Sequence, residues 1–454
     1  MTVQAKIRPR DRDTIIQALS AGVVPRVGLQ HVQVGRAREL QALVRDVERI
    51  ADGGSSIRFV IGEYGAGKSF FMSLVRLVAL EKRLLTVHAD LGPDRRLQAS
   101  NGQARGLYGE AVRNMATRTK PDGGALPSVL ERFVADLVKA AGERGVPVKR
   151  VLEERLVHLQ EGGGGYDFAT VVEAYWRGSE DGNEELKANA LRWLRGEFST
   201  RTEARQALGV RNIIGDQDLY EGLKLMSALA RLAGYAGLLV VFDEMVNLYK
   251  LQNKQAREQN YEQILAILND VLQGNTGGIG FVMGGTPEFL TDTRRGLYSY
   301  AALQSRLSEN SFARDGLVDL SGPVLRLQSL TPEELMILLM NVRNIFAGGD
   351  PSRHLVPDEA LQAFMVHCSE RIGEAYFRTP RNTIKAFCQL LSVLEQNPGA
   401  DWRSLLGAVE VTPDVPEDDG DIPEPEGTTG IGAGGGAEEG KDPRDSGLTG
   451  FRLG

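Results

Sequence analysis

The sequence predicts an α/β fold in which helices cover a parallel β-sheet. Short β-branched runs alternate with amphipathic helical patterns over residues 36–91, and this order is typical of parallel strands joined by crossover helices. A glycine-rich turn follows the first of these runs, and a later apolar run ends in two acidic residues. Open α/β sheets bind their ligands at the carboxyl ends of the strands. Both features are therefore expected where such a fold places its functional site.

The first elements follow one another closely. Residues 36–51 carry apolar side chains on one face at helical spacing, and the "IRFVI" that follows has the composition of a strand. Residues 68–83 are predicted to form a second helix, and "LLTVHADL" at residues 84–91 a second strand. Helix and strand thus alternate on both sides of the glycine-rich turn.

The rest of the chain divides into longer segments. Residues 98–235 carry mainly amphipathic helical patterns with glycine-rich breaks, which predicts a large helical insertion. Strand patterns return at residues 237–244 and 278–285, and residues 330–409 are helical in pattern. The acidic, Gly- and Pro-rich tail at 412–454 has no core-forming pattern and is expected to be disordered.

Composition excludes several classes of protein. The net charge is -7, and the tail carries eleven acidic residues against three basic ones, so the remainder is almost neutral and has no strong basic field. Cys368 and Cys388 are the only cysteines, which indicates buried thiols in a reducing compartment. Without a signal-peptide pattern or a run long enough to cross a bilayer, the chain is expected to be cytoplasmic, with no membrane partner.

A phosphate-binding loop is the strongest motif in the chain. The stretch "GEYGAGKS" fits G-x-x-x-x-G-K-[ST] and stands between a predicted strand and a predicted helix. Backbone N–H groups of such a loop point at phosphate oxygens, Lys68 is expected at the β and γ phosphates, and Ser69 at magnesium. The predicted ATP-binding residues here are Gly62, Glu63, Tyr64, Gly65, Ala66, Gly67, Lys68, Ser69 and Phe70.

An acidic pair supplies the second half of the chemistry. In "LLVVFDE" five apolar residues build a buried strand, and Asp243 and Glu244 follow at its carboxyl end. We expect Asp243 to hold magnesium through water and Glu244 to polarise the attacking water, because phosphoryl transfer to water needs a positioned acceptor. The pair therefore predicts hydrolysis of ATP as well as binding.

Further motifs resemble those of the AAA+ ATPases. "VQVGRAREL" is similar to the segment beside the adenine, with Gly35 and Arg36, and "GFVMGGTPEFL" resembles a sensor-1 strand that places Thr286 at the water. "LQSRL" resembles the element that precedes the lid in the origin-recognition clade, and "RTPRNTIKAF" a sensor-2 helix. The resemblance implies that Arg381 faces the γ-phosphate from a C-terminal helical lid.

A trans-acting arginine is also implied by this resemblance. In the origin-recognition clade the arginine of the "SRL" element, here Arg306, projects into the ATP of a neighbouring subunit. Arg294 and Arg295 are rival candidates for this role. A homo-oligomer is therefore expected.

A narrower resemblance extends to about residue 409. "IGEYGAGKSFF", "VVFDEMVNLYK" and "GGTPEFLTD" look like the BREX-system ATP-binding family, the BrxD-like P-loop proteins. The family implies bacterial phage defence, with a helicase or another defence protein as partner and DNA as a candidate substrate. The insertion is larger than a minimal AAA+ core allows, and the residues after the expected lid are not expected to form the winged helix of many origin-recognition relatives. The expected parts are an adenine-side segment 1–34, a five-stranded parallel core 35–328, a lid 329–411 and the tail 412–454.

Several interpretations stay open at this level. In the insertion, "YWRG" and "LKANALRWLRGEF" mix aromatic with basic residues, which fits either a DNA-contacting face or ordinary amphipathic helices with solvated basic faces. Residues 249–263 fit a substrate-facing loop or a polar helix, and the tail's "GFRLG" fits a docking peptide or a free end. A nucleotide-sensing switch with little turnover is the alternative to an ATP-driven enzyme; a scaffold or a small-molecule kinase fits less well.

Overall fold

The computed structural model describes residues 6–160, 164–313, 317–372 and 380–407. Its centre is a parallel five-stranded sheet in the order β2-β3-β4-β1-β5. The strands are β1 Ser55–Ile61, β2 Leu84–Asp90, β3 Gly237–Asp243, β4 Ile279–Gly285 and β5 Val324–Arg326. The α/β class and the parallel five-stranded sheet are confirmed. The three-residue β5, paired with β1, is a strand that the sequence patterns did not locate.

Helices occupy most of the remaining described chain. Those before and around the first strands are α1 Pro9–Ser20, α2 Leu29–Val32, α3 Ala37–Ala51 and α4 Lys68–Glu81. The insertion contributes α5 Gln103–Arg113, α6 Leu126–Arg144, α7 Val148–Gln160, α8 Gly165–Glu180, α9 Glu184–Leu194, α10 Arg201–Leu208 and α11 Leu219–Leu232. The later helices are α12 Val246–Tyr249, α13 Lys254–Gln273, α14 Pro287–Thr291, α15 Ala301–Leu307, α16 Pro332–Phe346, α17 Asp358–Ile372, α18 Pro380–Gln396 and α19 Trp402–Leu406.

Two hydrophobic cores cover the two faces of the sheet. Every residue of β3 and β4 is buried, which explains why β4 and the part of β3 before Asp243 carry no charged side chain at any position. One core joins the strands to the insertion helices and to α13, and the other joins them to α3 and α4. The insertion therefore shares its core with the sheet and is not a separate appendage.

A further core lies at the C-terminal end of the chain. Ile15 and Leu19 of α1 pack with Leu338 and Leu339 of α16 and with Leu391 of α18. The N-terminal helix thus belongs to the same core as the last helices, although more than three hundred residues separate them. The division into segments 1–34, 35–328, 329–411 and 412–454 stays a prediction.

The aromatic residues of the insertion are core residues. Tyr175, Trp176, Trp193 and Phe198 are all buried, with 7% or less of each residue exposed. They are not available to stack on nucleic-acid bases, so a DNA-contacting face built on them is wrong. One of their basic neighbours, Arg192, forms an ion pair with Glu203 of the same insertion at 2.8 Å. Amphipathic helices with solvated basic faces are what the structure contains.

Other expectations from the sequence can also be compared with the fold. Cys368 and Cys388 are buried thiols that are not joined in a disulfide. Residues 254–273 form the long helix α13, so the polar-helix interpretation of that stretch is correct for most of its length. No helix within the described ranges is both long and apolar enough to cross a membrane. The tail and its "GFRLG" end lie outside the described residues, as do residues 377–379 of the sensor-2 motif.

Candidate functional site

The predicted phosphate loop connects the buried strand β1 to helix α4. Gly67 is the N-cap of α4 with φ 82°, and Gly65 has φ 70°. L-residues with a side chain rarely adopt this left-handed region, so glycine at both positions lets the loop turn back on itself. The first turn of α4, with its free N–H groups, therefore faces the space in front of the loop.

Lys68 is held at the loop by backbone oxygens. Its Nζ donates to the carbonyl oxygens of Gly62 at 2.9 Å and Glu63 at 3.0 Å, and lies 5.6 Å from the centroid of the Tyr64 ring. Burial lowers the pKa of Lys68, and the carboxylates of Asp243 and nearby glutamates oppose that shift. The loop thus contains a partly dehydrated ammonium group, whose charged form an anionic ligand would stabilise.

Ser69 and Asp243 form a pair of oxygen donors at the edge of the sheet. The Ser69 hydroxyl donates to the Asp243 carboxylate at 2.6 Å, and that carboxylate also accepts from the backbone N–H of Glu244 at 2.8 Å. A Cβ on Gly284 would lie 2.4 Å from the Asp243 carboxylate, so glycine in β4 leaves the room that this side chain occupies. Hydroxyl and carboxylate oxygens are the ligand types that magnesium prefers, so this pair fits the metal.

Glu244 has an unusual backbone conformation and an elevated pKa. It is one of three residues other than glycine with positive φ in the described chain, at 57°. Such a conformation costs free energy and occurs preferentially at functional sites. Burial raises the pKa of Glu244, the adjacent Asp243 raises it further, and Lys68 opposes the shift. The strained turn aims Glu244 into the cleft described next, of which it is a lining residue.

A cleft of about 380 Å³ runs from the phosphate loop towards the C-terminal core. Its phosphate end is formed by residues 64–70 together with Glu244 and Thr286. Its other end, which we call the base end, is apolar and combines three distant parts of the chain. These base-end residues are Leu19, Val23, Val24, Pro25, Val34, Phe70, Leu338 and Ile384. A polar end followed by an apolar end matches the two halves of a nucleotide.

Gly35 and Arg36 line the cleft, with Arg36 beside the loop itself. Arg36 adopts φ 57° as the N-cap of α3, and its Nη2 donates to the carbonyl oxygens of Ala66 and Gln328. The Glu334 carboxylate, at the start of α16, would lie 2.3 Å from a Cβ on Gly35. Arg36 therefore joins the phosphate loop to the chain that leads into the C-terminal helices.

Thr286 and Arg381 face the cleft from different walls. Thr286 follows β4 and is buried, and its hydroxyl accepts from the backbone N–H of Phe289 at 3.4 Å as the N-cap of α14. Arg381, in the first turn of α18, lines the cleft beside Gly22. The structure thus brings both predicted residues to the cleft that contains Lys68, although their roles stay predictions.

Arg306 is placed elsewhere. It lies near the end of α15, is exposed, and donates to the Ala302 carbonyl of its own helix at 2.9 Å. It is not among the described residues that line the cleft. Of its rivals, Arg294 is exposed, whereas Arg295 donates to the Leu251 carbonyl at 3.2 Å. A finger role for Arg306 or Arg294 therefore requires a second subunit.

The sequence predicts an adenine-side segment 1–34, but it does not predict the individual residues of the base end. Among its residues only Phe70 was singled out, and that was for its place beside the loop. Val23 and Pro25 stand in an irregular stretch, and Ile384 lies on one face of α18. Val34 and Ile384 lie within the quoted motifs, but nothing in those motifs marks them as part of an apolar surface, which exists only once residues 19–36 and 330–384 are brought together.

The family model described as BREX system ATP-binding protein BrxC/D matches residues 7–410, which is most of the chain and includes every residue discussed at the cleft. No curated protein matches the chain.

Proposed function

The chain belongs to the BREX system ATP-binding protein BrxC/D family, and we propose that it is an AAA+ ATPase that hydrolyses ATP to act on DNA or on a helicase partner in phage defence. The single observation that carries the hydrolytic part is the group of Ser69, Asp243 and Glu244 next to Lys68. The Ser69 hydroxyl donates a hydrogen bond of 2.6 Å to the Asp243 carboxylate. The positive charge of Lys68 acts on Glu244 and opposes the rise of its pKa. A protein that only binds ATP does not need an ionisable acceptor there.

The proposed binding mode follows the polarity of the cleft. The triphosphate occupies the end at Lys68 and the first turn of α4, and the adenine occupies the apolar base end. Ser69 and Asp243 would hold magnesium, which when bound neutralises charge on the phosphates. In this mode the Lys68 ammonium group leaves the Gly62 and Glu63 carbonyl oxygens and binds phosphate oxygens instead. Hydrogen bonds to charged phosphate oxygens are stronger than those to neutral carbonyl oxygens.

The proposed chemistry is in-line attack of water on the γ-phosphate. Glu244 accepts the proton of the attacking water, Thr286 orients that water, and Arg381 and Lys68 stabilise the negative charge that develops. The raised pKa of Glu244 brings its basicity closer to that needed for proton transfer at neutral pH. Preorganised charges in a cleft partly closed to water are worth more than the same charges in bulk solvent.

An oligomer is part of the proposal. Arg306 is exposed and outside its own cleft, as a residue that serves a neighbouring subunit must be. The helices from α16 to α19 would act as the lid. Because they share a hydrophobic core with α1, the N-terminal and the C-terminal residues of the base end belong to the same packed unit. A change of lid position on hydrolysis would then move Arg381 and the N-terminal helix together.

Steady-state ATPase activity tests the proposal. Wild type and Glu244→Gln are assayed with and without duplex and single-stranded DNA, while light scattering gives the size of each species. We expect turnover by wild type, stimulation by DNA, and an ATP-locked oligomer for Glu244→Gln. Tight binding of ATP without turnover under any of these conditions would instead support the nucleotide-sensing switch.

A further inference from the structure

Two short helices follow the residues that are proposed to act on the attacking water. Helix α12 begins two residues after Glu244 and ends at Tyr249. Helix α14 begins directly after Thr286, and its C-cap is Asp292. We propose that the hydrogen bond between Tyr249 and Asp292 positions the two proposed catalytic residues relative to each other. The proposal rests on the proposed function, in which both catalytic residues act on one water molecule.

The near ends of the two helices are linked at the edge of the sheet. Strands β3 and β4 pair in parallel, so the chain leaves both of them at the same edge. There the backbone N–H of Met245 donates to the Gly284 carbonyl at 3.0 Å. This bond fixes the start of α12 against the end of β4, but it does not reach the far ends of the helices.

The far ends are joined by the hydrogen bond between Tyr249 and Asp292. The Tyr249 hydroxyl donates to the Asp292 carboxylate at 3.1 Å, and both residues are partly buried. Burial raises the pKa of Tyr249, and the hydrogen bond to Asp292 raises it further, so the phenol keeps its proton and remains the donor. Bonds at both ends therefore connect α12 to α14.

Asp292 is itself held in place by the backbone that follows it. Its carboxylate accepts from the N–H groups of Arg294 at 2.6 Å and Arg295 at 3.1 Å. These N–H groups lower the pKa of Asp292, so the carboxylate is ionised and accepts from Tyr249 at neutral pH. The Arg295 carbonyl accepts from the Tyr261 hydroxyl at 2.6 Å, which attaches the same segment to α13.

The Arg295 side chain makes a second link between the same two segments. Its guanidinium donates to the Leu251 carbonyl at 3.2 Å and lies 5.4 Å from the centroid of the Tyr249 ring. These contacts involve the ring and not the hydroxyl of Tyr249. Tyr249→Phe therefore removes the hydrogen bond to Asp292 and leaves the ring its contact with Arg295.

Tyr249 and Asp292 are positioning residues in this proposal, because they act through other residues. Neither is among the described residues that line the nucleotide cleft. A single partly exposed hydrogen bond also adds little to the free energy of folding. The rate of hydrolysis is more sensitive, since misplacing a reacting group by about 1 Å can cost about 100-fold. Loss of this bond should therefore lower the rate more than it lowers ATP affinity or stability.

Single-turnover hydrolysis of ATP by the full-length Tyr249→Phe variant tests the proposal. The rate constant should fall about tenfold, while the Kd for ATP and the Tm stay at their wild-type values. Tyr108→Phe is the matched control, because it loses a tyrosine hydroxyl that donates to the Leu194 carbonyl at 3.0 Å within the insertion. It should hydrolyse ATP at the wild-type rate.

Substitutions at Asp292 separate the hydrogen bond from the charge. Asp292→Asn can still bond both the backbone N–H groups and the Tyr249 hydroxyl, so it should keep most of the wild-type rate. Asp292→Ala can bond neither and should be at least as slow as Tyr249→Phe. The double variant Tyr249→Phe/Asp292→Ala should be no slower than Asp292→Ala alone, because the two residues act through one bond.

Hydrogen exchange tests the same bond without any hydrolysis. In nucleotide-free Tyr249→Phe, the backbone amide of Phe289, which donates to the Thr286 hydroxyl, should exchange faster than in wild type. In Asp292→Ala, the backbone amide of Met245 should exchange faster. Each substitution is thus read on the opposite helix. Faster exchange at both amides would support the link between the helices even if wild type proves not to hydrolyse ATP, so the two failures are distinguishable.

Three outcomes would overturn the proposal. Hydrolysis by Tyr249→Phe at the rate of an active wild type would show that the bond does not position the catalytic residues. A lower Tm or weaker ATP binding that accounts for the whole loss of rate would show a structural role instead. Unchanged exchange at both amides would show that this bond does not hold the two helices together.

Discussion

The two ends of the nucleotide cleft are built in opposite ways. The phosphate end comes from short, continuous stretches, residues 62–70 and 243–244, and it concentrates charge, left-handed backbone and shifted pKa values. The base end comes from residues scattered between positions 19 and 384, and it consists of ordinary packed apolar side chains. The comparison teaches that the charged end is encoded locally, whereas the apolar end, where we propose that the base binds, is encoded only by the tertiary fold.

The largest effect should come from a residue outside both ends. If Arg306 completes the phosphate end of a neighbouring subunit, Arg306→Ala should lower kcat about 1000-fold and leave ATP affinity unchanged. Mixing Arg306→Ala with inactive Lys68→Ala subunits should restore part of the activity, because each supplies what the other lacks. Arg294→Ala tests the rival position: it should behave as wild type if Arg306 has the trans role, and a loss of activity there instead would assign the role to Arg294. Failure of the mixture to regain activity would remove the trans role.

Loss of the lysine tests the phosphate end itself. Lys68→Ala should raise the Kd for ATP about 100-fold, because a cation in a partly dehydrated site is worth several kcal/mol to an anionic ligand. Isothermal titration calorimetry measures this directly. Lys82→Ala, at the surface in an ion pair with Glu48 at 2.7 Å, is the control and should bind ATP normally. Equal affinity of Lys68→Ala and wild type would contradict the assignment of this end to phosphate.

A smaller effect separates the base end from the phosphate end. Ile384→Ala removes apolar contact at the base end and should weaken ATP and ADP alike by about fivefold, since roughly 1 kcal/mol of burial is lost. Binding of inorganic tripolyphosphate should not change. Ile337→Ala, on an isoleucine of α16 that is 48% exposed, controls for the loss of an aliphatic side chain. Equal weakening of ATP and tripolyphosphate would mean that Ile384 supports the whole cleft and not the base.

The smallest effect concerns stability. Because the folded-state pKa of Glu244 is raised above its ordinary 4.5, its ionisation opposes folding once the pH rises through the raised pKa. Glu244→Gln should therefore raise the Tm of the nucleotide-free protein by about 1–2 °C at pH 8. The gain should vanish below pH 4.5, where the carboxyl is protonated in both states. Scanning calorimetry of Glu244→Gln and of the exposed-site control Glu262→Gln measures it, and a lower Tm for Glu244→Gln would be contradictory.

The sequence located the loop and the acidic pair at the phosphate end of the cleft because their signals are local. Gly65 and Gly67 indicate a turn with left-handed backbone, and Lys68 and Ser69 follow it at the spacing of the motif. Asp243 ends a strand that the sequence shows as a run of apolar residues. The same local logic located four of the five strands. β5 was missed because three residues are too few to show a strand pattern.

The remainder depends on contacts that no single stretch reveals. In the insertion, Trp176 and Trp193 looked available for stacking because composition does not show which way an aromatic side chain points. The sequence predicts Arg36 beside the adenine. Its hydrogen bond to the Ala66 carbonyl could not be predicted, because the two residues lie far apart in the chain and no motif links them.

The most direct test of the central claim, hydrolysis of ATP at the phosphate end, is a single-turnover experiment. Protein in excess over radiolabelled ATP is quenched at intervals, and bound ATP and released phosphate are measured for wild type and Glu244→Gln. We predict that wild type converts its bound ATP to ADP and phosphate, while Glu244→Gln binds ATP equally well and converts it at least about 100-fold more slowly. Conversion at equal rates by both proteins, or by neither, would contradict the account.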